Sequence, residues 1–339
     1  MRLEQFDPKT DDDRLAACHE IVNSGHAEDD PNVPPVTWRR FQAWWRFGFA
    51  DEPTETWLAT DDAAEPVGCY LLWLPERENR QNAFCTVTVA VHRRGHGVGT
   101  ALIGHVAERA EQADRTLLMT DTRVGAPGSA FAAARGGRAG QQEVRRVLDV
   151  DASLTGRLAG LHASAEQHAA GYRLRSWSGM TPDDLLDQAC EVHNAMEDAP
   201  HDAAFEPLRW DADRLRKEEE QDIKAGIRIH SVAALAEDSG EISALTQIYV
   251  DPDQADWGYQ GLTAVTRQHR GHRLGLLVKT AMLERLGHSE PQLREIVTGN
   301  AAMNQHMIAV NAELGFRVSD TFQNWELAVA AARKLASSG

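Results

Sequence analysis

A chain of 339 residues exceeds the about 250 at which a single hydrophobic core stops growing, so two domains are expected. Apolar residues at 42% and charged ones at 25% are globular values and exclude a globally disordered chain. With 35 Lys and Arg against 51 Asp and Glu, a formal charge of −16 repels phosphate backbones, so non-specific binding to nucleic acid is not expected.

The stretch Met1–Asp13 is acidic and no run of 18 apolar residues follows, so neither a signal peptide nor a membrane span is expected. A strand reads at Arg2–Phe6, followed by one or two helices carrying Trp38, Phe41, Trp44, Trp45 and Phe47 at helical spacing. These aromatics fit a core or domain interface, with a stacking wall for a substrate as the other reading. Short β-rich runs come next, at Trp57–Thr60, Val67–Leu74 and Phe84–Val91, separated by Asp, Gly, Glu and Pro. The glycine loop Arg94-Gly95-His96-Gly97-Val98-Gly99-Thr100 then opens a helix, and a strand (Thr116–Thr120) and a helix (Ser129–Arg135) follow. Ser153–Ala170 has no Pro and reads as a helical linker; its His162 and His168 are too far apart for a helical metal site and are expected to be solvated.

The pattern then restarts. A strand at Tyr172–Trp177 and further helices lead to β-rich runs at Ile227–Ala236, Ile242–Val250 and Gln260–Val265. Next come Arg270-Gly271-His272-Arg273-Leu274-Gly275-Leu276 and a helix whose Leu274, Leu277, Val278, Ala281 and Met282 form one stripe. A strand at Glu295–Thr298 and a helix over Ala301–Leu314 complete the copy. Arg270 stands 176 positions after Arg94 and each is followed by Gly-His, a spacing that means a duplicated domain rather than a solenoid. The expected order is β-α-α-β-β-β-α-β-α-β-β, twice. Residues 1–150 form the first domain, 151–171 a linker, 172–329 the second domain and 330–339 a tail. Cys18, Cys69, Cys85 and Cys190 lack CxxC spacing, which suits a reduced cytoplasmic protein better than disulfides or zinc.

A loop of the form Arg-x-x-Gly-x-Gly, leaving a strand and opening a helix, gathers unpaired backbone N–H groups at the positive end of a helix dipole. That describes a cradle for pyrophosphate. A P-loop would need Gly-Lys-Ser/Thr, and a Rossmann site would place its glycines after the first strand; here the loop follows the fourth. The Val89–Val106 and Gly261–Lys279 blocks, with Thr298-Gly-Asn300, Asn304 and Asn311-Ala-Glu-Leu314-Gly315-Phe316, resemble the GCN5-related N-acetyltransferase (GNAT) superfamily. Together with the strand order, the resemblance covers nearly the whole chain.

The resemblance implies an α/β (α+β mixed sheet) class with two tandem GNAT folds, each a mixed, mostly antiparallel sheet flanked by helices. It implies that Arg94, Gly95, His96, Gly97, Val98, Gly99 and Thr100, and Arg270, Gly271, His272, Arg273, Leu274, Gly275 and Leu276, bind the pyrophosphate of acetyl-CoA. Main-chain atoms around Val89 and Val265 would pair with the pantetheine arm, and Asn304 would either contact the cofactor or cap its helix. Arg273 stands where the motif has glycine, adding a phosphate contact or showing that positive φ is not required there. Many members place a tyrosine acid where this chain has Asn311 and, in the first copy, Ala132. Gly136-Gly137 replaces Gly-Phe, so the second domain is expected to carry the chemistry and the first to be degenerate or non-catalytic.

In this superfamily the loop between the first two helices lines the acceptor pocket. Both copies place carboxylates there: Glu28-Asp29-Asp30 with Pro31, and Glu197, Asp198, Pro200, His201 and Asp202. They would attract a cationic amine, with Glu197, Asp198 or His201 as base, or else form solvated surface. The resulting expectation is a cytoplasmic enzyme acetylating the amine of a small or peptidic acceptor, without a metal, membrane or nucleic-acid partner, as a monomer (a pseudo-dimer of two domains) or a homodimer. The alternatives are a non-catalytic acyl-CoA-binding sensor and, more remotely, a nucleotide-binding protein.

Overall fold

The computed structural model describes residues 1–50, 52–196 and 204–336. In chain order the principal elements are β1 (Arg2–Phe6), α1 (Asp12–Asp29), α2 (Trp38–Phe47), β2 (Thr54–Thr60), β3 (Pro66–Trp73), β4 (Asn82–Val89), α3 (Val98–Gln112), β5 (Leu117–Arg123), α4 (Pro127–Ala134) and β6 (Arg138–Asp149). They continue as α5 (Ala152–Glu166), β7 (Tyr172–Ser178), α6 (Leu186–Met196), α7 (Ala212–Lys224), β8 (Arg228–Ala236), β9 (Ile242–Val250), β10 (Trp257–Val265), α8 (Leu274–Ser289), β11 (Glu295–Ala301), α9 (Gln305–Leu314), β12 (Arg317–Ala328) and α10 (Val329–Ala336). The repeat is visible in the order itself. Each copy ends in one 12-residue strand rather than the expected pair. Neither stretch contains a Pro or an Asn-Gly turn that would break it.

The chain divides into two compact units, and these are not simply its two halves. Of the described residues, unit 1 takes Met1–Glu143, the short piece 204–206 and 320–336, while unit 2 takes 144–196 and 207–319. Unit 1 orders its strands β1-β2-β3-β4-β5-β12-β6, with β4 and β5 parallel and the pairs β1–β2, β2–β3, β3–β4 and β5–β12 antiparallel. Unit 2 orders its strands β6-β11-β10-β9-β8-β7, again with one parallel pair, β10 and β11. The last strand of the chain thus completes the sheet of the first unit.

Both sheets are covered on both faces, as an apolar alternation on two sides requires. In unit 1, Phe41 and Trp45 of α2 pack with Leu15, Cys18 and Ile21 of α1 on one face. Leu102, Val106 and Ala110 of α3, with Val329 and Ala332 of α10, cover the other. In unit 2, α6 and α7 cover one face through Ala189, Val192 and Leu215. The other carries α5 and α8, through Leu154, Leu158, Leu277 and Met282. The α2 aromatics are therefore mainly core; Trp44 alone among the three α2 tryptophans is exposed. His162, expected in solvent, instead bonds Thr280 on α8 through Nδ1 at 3.0 Å, whereas His168 is exposed.

Candidate functional site

Helix starts need partners for their first N–H groups. Asp11, Thr37, Asp151, Asp211 and Asn304 supply side-chain caps to α1, α2, α5, α7 and α9. The helices that follow the two glycine loops are treated differently. Neither α3 nor α8 has a side-chain cap, and both begin at a residue in the left-handed region, Gly97 at φ +83° and Arg273 at φ +53°. Gly95, Gly97 and Gly271 also have positive φ, with nothing within 4 Å of where a Cβ would stand. Each loop therefore offers bare main chain at a positive helix end, the requirement of a pyrophosphate cradle. The residues present fit the diphosphate of an acyl-CoA.

The loop side chains have other tasks. Arg270 Nε donates to the carbonyl of Val265 at 3.3 Å, and Arg94 Nε to that of Val89 at 3.5 Å, so each arginine staples its loop to the end of the preceding strand. Arg94 also makes a two-pronged ion pair with Asp29, both bonds at 2.8 Å. His96 bonds the Arg94 carbonyl at 2.7 Å, and His272 lies against the ring of Tyr172. Positive φ is kept at Arg273 despite its side chain, which pairs with Glu313. This corrects the reading that the position had lost its need for positive φ. Arg135 reaches Thr100 at 2.7 Å.

Beside each loop the sheet opens. β4 pairs with β5 only from Asn82 to Phe84, and β10 pairs with β11 only from Trp257 to Tyr259. Past those points Cys85–Val89 and Gln260–Val265 present free edges, able to pair with an extended arm. The strands differ in one respect. β4 keeps an even register with β3, whereas β10 shifts register against β9 between Gln260 and Thr263, leaving Gly261 and Leu262 unpaired there. Such a bulge re-aims main-chain groups. A Cβ on Gly261 would overlap the ring of Tyr249, so glycine is needed for the approach. The isolated glycine inside an otherwise strand-like run was the sequence signal for it.

Hydrogen bonds confirm how the late helices correspond. The N–H of Phe316 donates to the Asn311 carbonyl and that of Gly137 to the Ala132 carbonyl, both at 2.9 Å. The Trp325 ring, from the strand that joins unit 1, lies 3.2 Å from where a Gly137 Cβ would be and fills the room of the missing phenylalanine. Asn311 is fully buried; its Nδ2 donates to Asn300 Oδ1 at 2.7 Å, while its Oδ1 has no hydrogen-bond partner. Asn304 caps α9 by accepting from the Met307 N–H at 3.2 Å, which leaves it a helix-start residue.

On the acceptor side, the first-copy carboxylates are clamps rather than free charges. Asp29 is taken by Arg94, and Glu28 lies 3.9 Å from the same guanidinium. Glu197, Asp198, Pro200, His201 and Asp202 lie outside the described residues. Sequence reasoning missed His193 on α6, which is buried and tilted against Trp210, its Nε2 without a hydrogen-bond partner among the described residues. Burial pushes its pKa down to about 4. It also missed Asp121 on β5, a carboxyl group pushed above its ordinary range by burial and legible as an acid within an apolar run.

Residues 16–133 match the model of the acetyltransferase (GNAT) family. No curated protein matches the chain. Among solved structures, a tandem GNAT protein from the clavulanic acid biosynthesis pathway is 26% identical, covering 97% of this chain and 98% of its own, with a TM-score of 0.80. A GCN5-related N-acetyltransferase from Sphaerobacter thermophilus is 14% identical over 97% and 95%, with a TM-score of 0.63. The N-myristoyltransferase of Saccharomyces cerevisiae, at 10% identity over 96% and 79%, shares the fold with a TM-score of 0.62. With two uncapped glycine loops, two opened sheets and a match to the tandem protein along its length, the chain belongs to the GNAT superfamily.

Proposed function

We propose that the chain is an acetyl-CoA-dependent N-acetyltransferase acting on a primary amine of a small or peptidic acceptor, and that the second repeat, residues 172–329, carries the chemistry. The observation that carries this reading is the β10 bulge beside an uncapped helix start, a pairing that β4 lacks. The Arg270–Leu276 loop would hold the diphosphate through main-chain N–H groups, and the Thr263–Val265 edge would pair with the pantetheine arm. Bound acetyl-CoA supplies a thioester carbonyl open to an amine. The chain's own part is to aim main-chain N–H groups of Gly261 and Leu262 toward the opened edge, where an oxygen gaining charge is stabilised. Glu197, Asp198 and His201 are the proposed proton acceptors, and Asn311 orients without giving up a proton. Four free, buried cysteines support a cytoplasmic setting, and the fused repeats support a monomer that is its own pseudo-dimer.

The test is thiol release from acetyl-CoA across a panel of amines, with a carboxylate placed in each loop in turn. Gly275→Asp is expected to remove turnover by at least a hundredfold and Gly99→Asp to spare it; the opposite order moves the chemistry to the first repeat. A second reading, a non-catalytic acyl-CoA sensor, is favoured by the absence of a proton donor at both Asn311 and Ala132. It predicts tight CoA binding with no turnover on any amine.

A further inference from the structure

The end of β7, at the rim of the unit 2 sheet, carries a constellation that acetyl transfer to an amine does not use. Ser178 is the last residue of β7, and His230 is its register partner on β8. One step on, the N–H of Gly179 donates to the carbonyl of Ile229 at 2.8 Å. Antiparallel alternation then makes Ser178 and His230 a non-hydrogen-bonded pair, the kind whose side chains stand closest. His230 accordingly meets Ser178 Oγ through Nδ1 at 3.3 Å, and its Nε2 meets Glu290 Oε1 at 2.8 Å.

The chain of contacts has a direction. Arg228 grips both oxygens of Glu290 at 2.7 Å, which holds that group as a carboxylate. A carboxylate only accepts, so the ring hydrogen of His230 is on Nε2 and the lone pair of Nδ1 faces the serine. His230 is 4% and Glu290 6% exposed, whereas Ser178 is open to solvent. Burial pushes the His230 pKa below its ordinary value, which leaves the ring neutral and able to take a proton at pH 7. Two N–H donors stand beside the hydroxyl. Arg285 of α8 donates to Ser178 Oγ through Nη2 at 2.8 Å, its other arm resting on Ser176 at 3.1 Å. By the same alternation the main-chain N–H of Ser178 points to the outer side of β7, where no strand pairs among the described residues.

A nucleophile, a base oriented by a carboxylate and donors for an oxyanion are the parts of a serine hydrolase, which is recognised by geometry rather than sequence position. We propose that unit 2 carries a second catalytic site, in which Ser178, His230 and Glu290 hydrolyse carboxylic esters of small acids. Ser178 Oγ bonds to the ester carbonyl carbon as its proton passes to His230 Nδ1, and the carbonyl oxygen takes the negative charge beside Arg285 and the Ser178 N–H. The C–O bond to the alcohol then breaks, and the alcohol leaves with the proton from Nδ1. Water repeats the sequence on the acyl-serine: its oxygen bonds to the carbonyl carbon, its proton goes to Nδ1, and the acid departs as Oγ recovers that proton. Short acyl groups suit a serine at an open rim, since they need no enclosing wall. Glu290 touches no reacting atom and is a positioning residue. The charged groups facing His230 are Glu290 and Arg285, from α8 and its end, and Arg228 from its own strand; on β9 its register partner is Ile248.

Release of p-nitrophenolate from p-nitrophenyl acetate, followed without acetyl-CoA, tests the site independently of amine acetylation. Ser178→Ala is expected to lower the rate by about a hundredfold, and a fluorophosphonate should label Ser178 in native protein. The rate should rise with pH to a plateau, its midpoint below the ordinary histidine value of 6.5, and Glu290→Gln should move that midpoint lower still. Native protein in which the fluorophosphonate leaves Ser178 unlabelled overturns the proposal without any variant. So does a Ser178→Ala protein, native-like in thermal melting, that releases p-nitrophenolate as fast as native protein does.

Discussion

Lys279 of α8 is 3% exposed and, among the described residues, its ammonium finds only the ring of Phe316, with Nζ 5.1 Å from the centroid. Burial pushes its pKa down to about 7, below the ordinary 10.5, so the unfolded chain binds this proton more strongly. Stability is therefore expected to rise with pH between about 7 and 10.5. Lys279→Met should stabilise the protein at pH 7 by about 1–4 kcal/mol in urea denaturation, the gain shrinking toward pH 10. His193 has the same sign. Its folded pKa of about 4 lies below 6.5, so stability present above pH 6.5 is lost as pH falls toward 4, in all about 3 kcal/mol, and His193→Gln should flatten that part of the profile. Neither environment is legible in sequence, because a lysine or histidine in a helix gives no sign of which way it faces. The loop glycines were legible, since only backbone freedom explains their spacing. Asn304 was legible as a helix cap or a cofactor contact, and it caps α9, whereas the buried bond of Asn311 to Asn300 was not, being set by rotamers.

At the scale of elements, register decides most of what the site can do. The β-rich run Ile242–Val250 matches its strand to the residue, whereas β10 begins three residues earlier than its apolar run suggests because Trp257 pairs with β11 and Gly258 and Tyr259 with both neighbours. The bulge follows from Gly261. Gly261→Ala is expected to displace Tyr249, destabilise the protein by about 1–3 kcal/mol and lower turnover more than it lowers acyl-CoA affinity, which separate denaturation, kinetic and calorimetric measurements would read. The clamp between Asp29 and Arg94 ties the end of α1 to the first loop. Asp29→Asn should loosen it, weakening CoA binding at that loop alone, and less so at low salt, where the freed Arg94 charge is least screened and draws the diphosphate most strongly. No local pattern announces that pairing, for its partners are 65 residues apart.

Across the whole molecule, the duplication was readable and the exchange of its last strand was not. Periodicity identifies a strand without naming its neighbour. β5 pairs with β12 from Leu117 with Ala328 to Arg123 with Phe322, and Trp325 bonds Thr122 at 2.8 Å. Residues 1–143 alone therefore lack a central strand and the apolar cover of Val329 and Ala332, and should be insoluble or molten when expressed alone. Supplying residues 144–339 as a separate chain should restore a cooperative melt; a stable, folded 1–143 fragment would count against this. The same arrangement bears on synthesis. Nascent chains ordinarily fold their N-terminal domain first, at about 5–20 residues added per second. Here the first unit leaves the ribosome with an open strand edge and must wait on the order of 10–40 s for the C-terminus to arrive. Its exposed edge is thus a client for chaperones throughout translation, and a ribosome stalled just before residue 320 would release a product whose second unit has all its residues while the first lacks its closing strand.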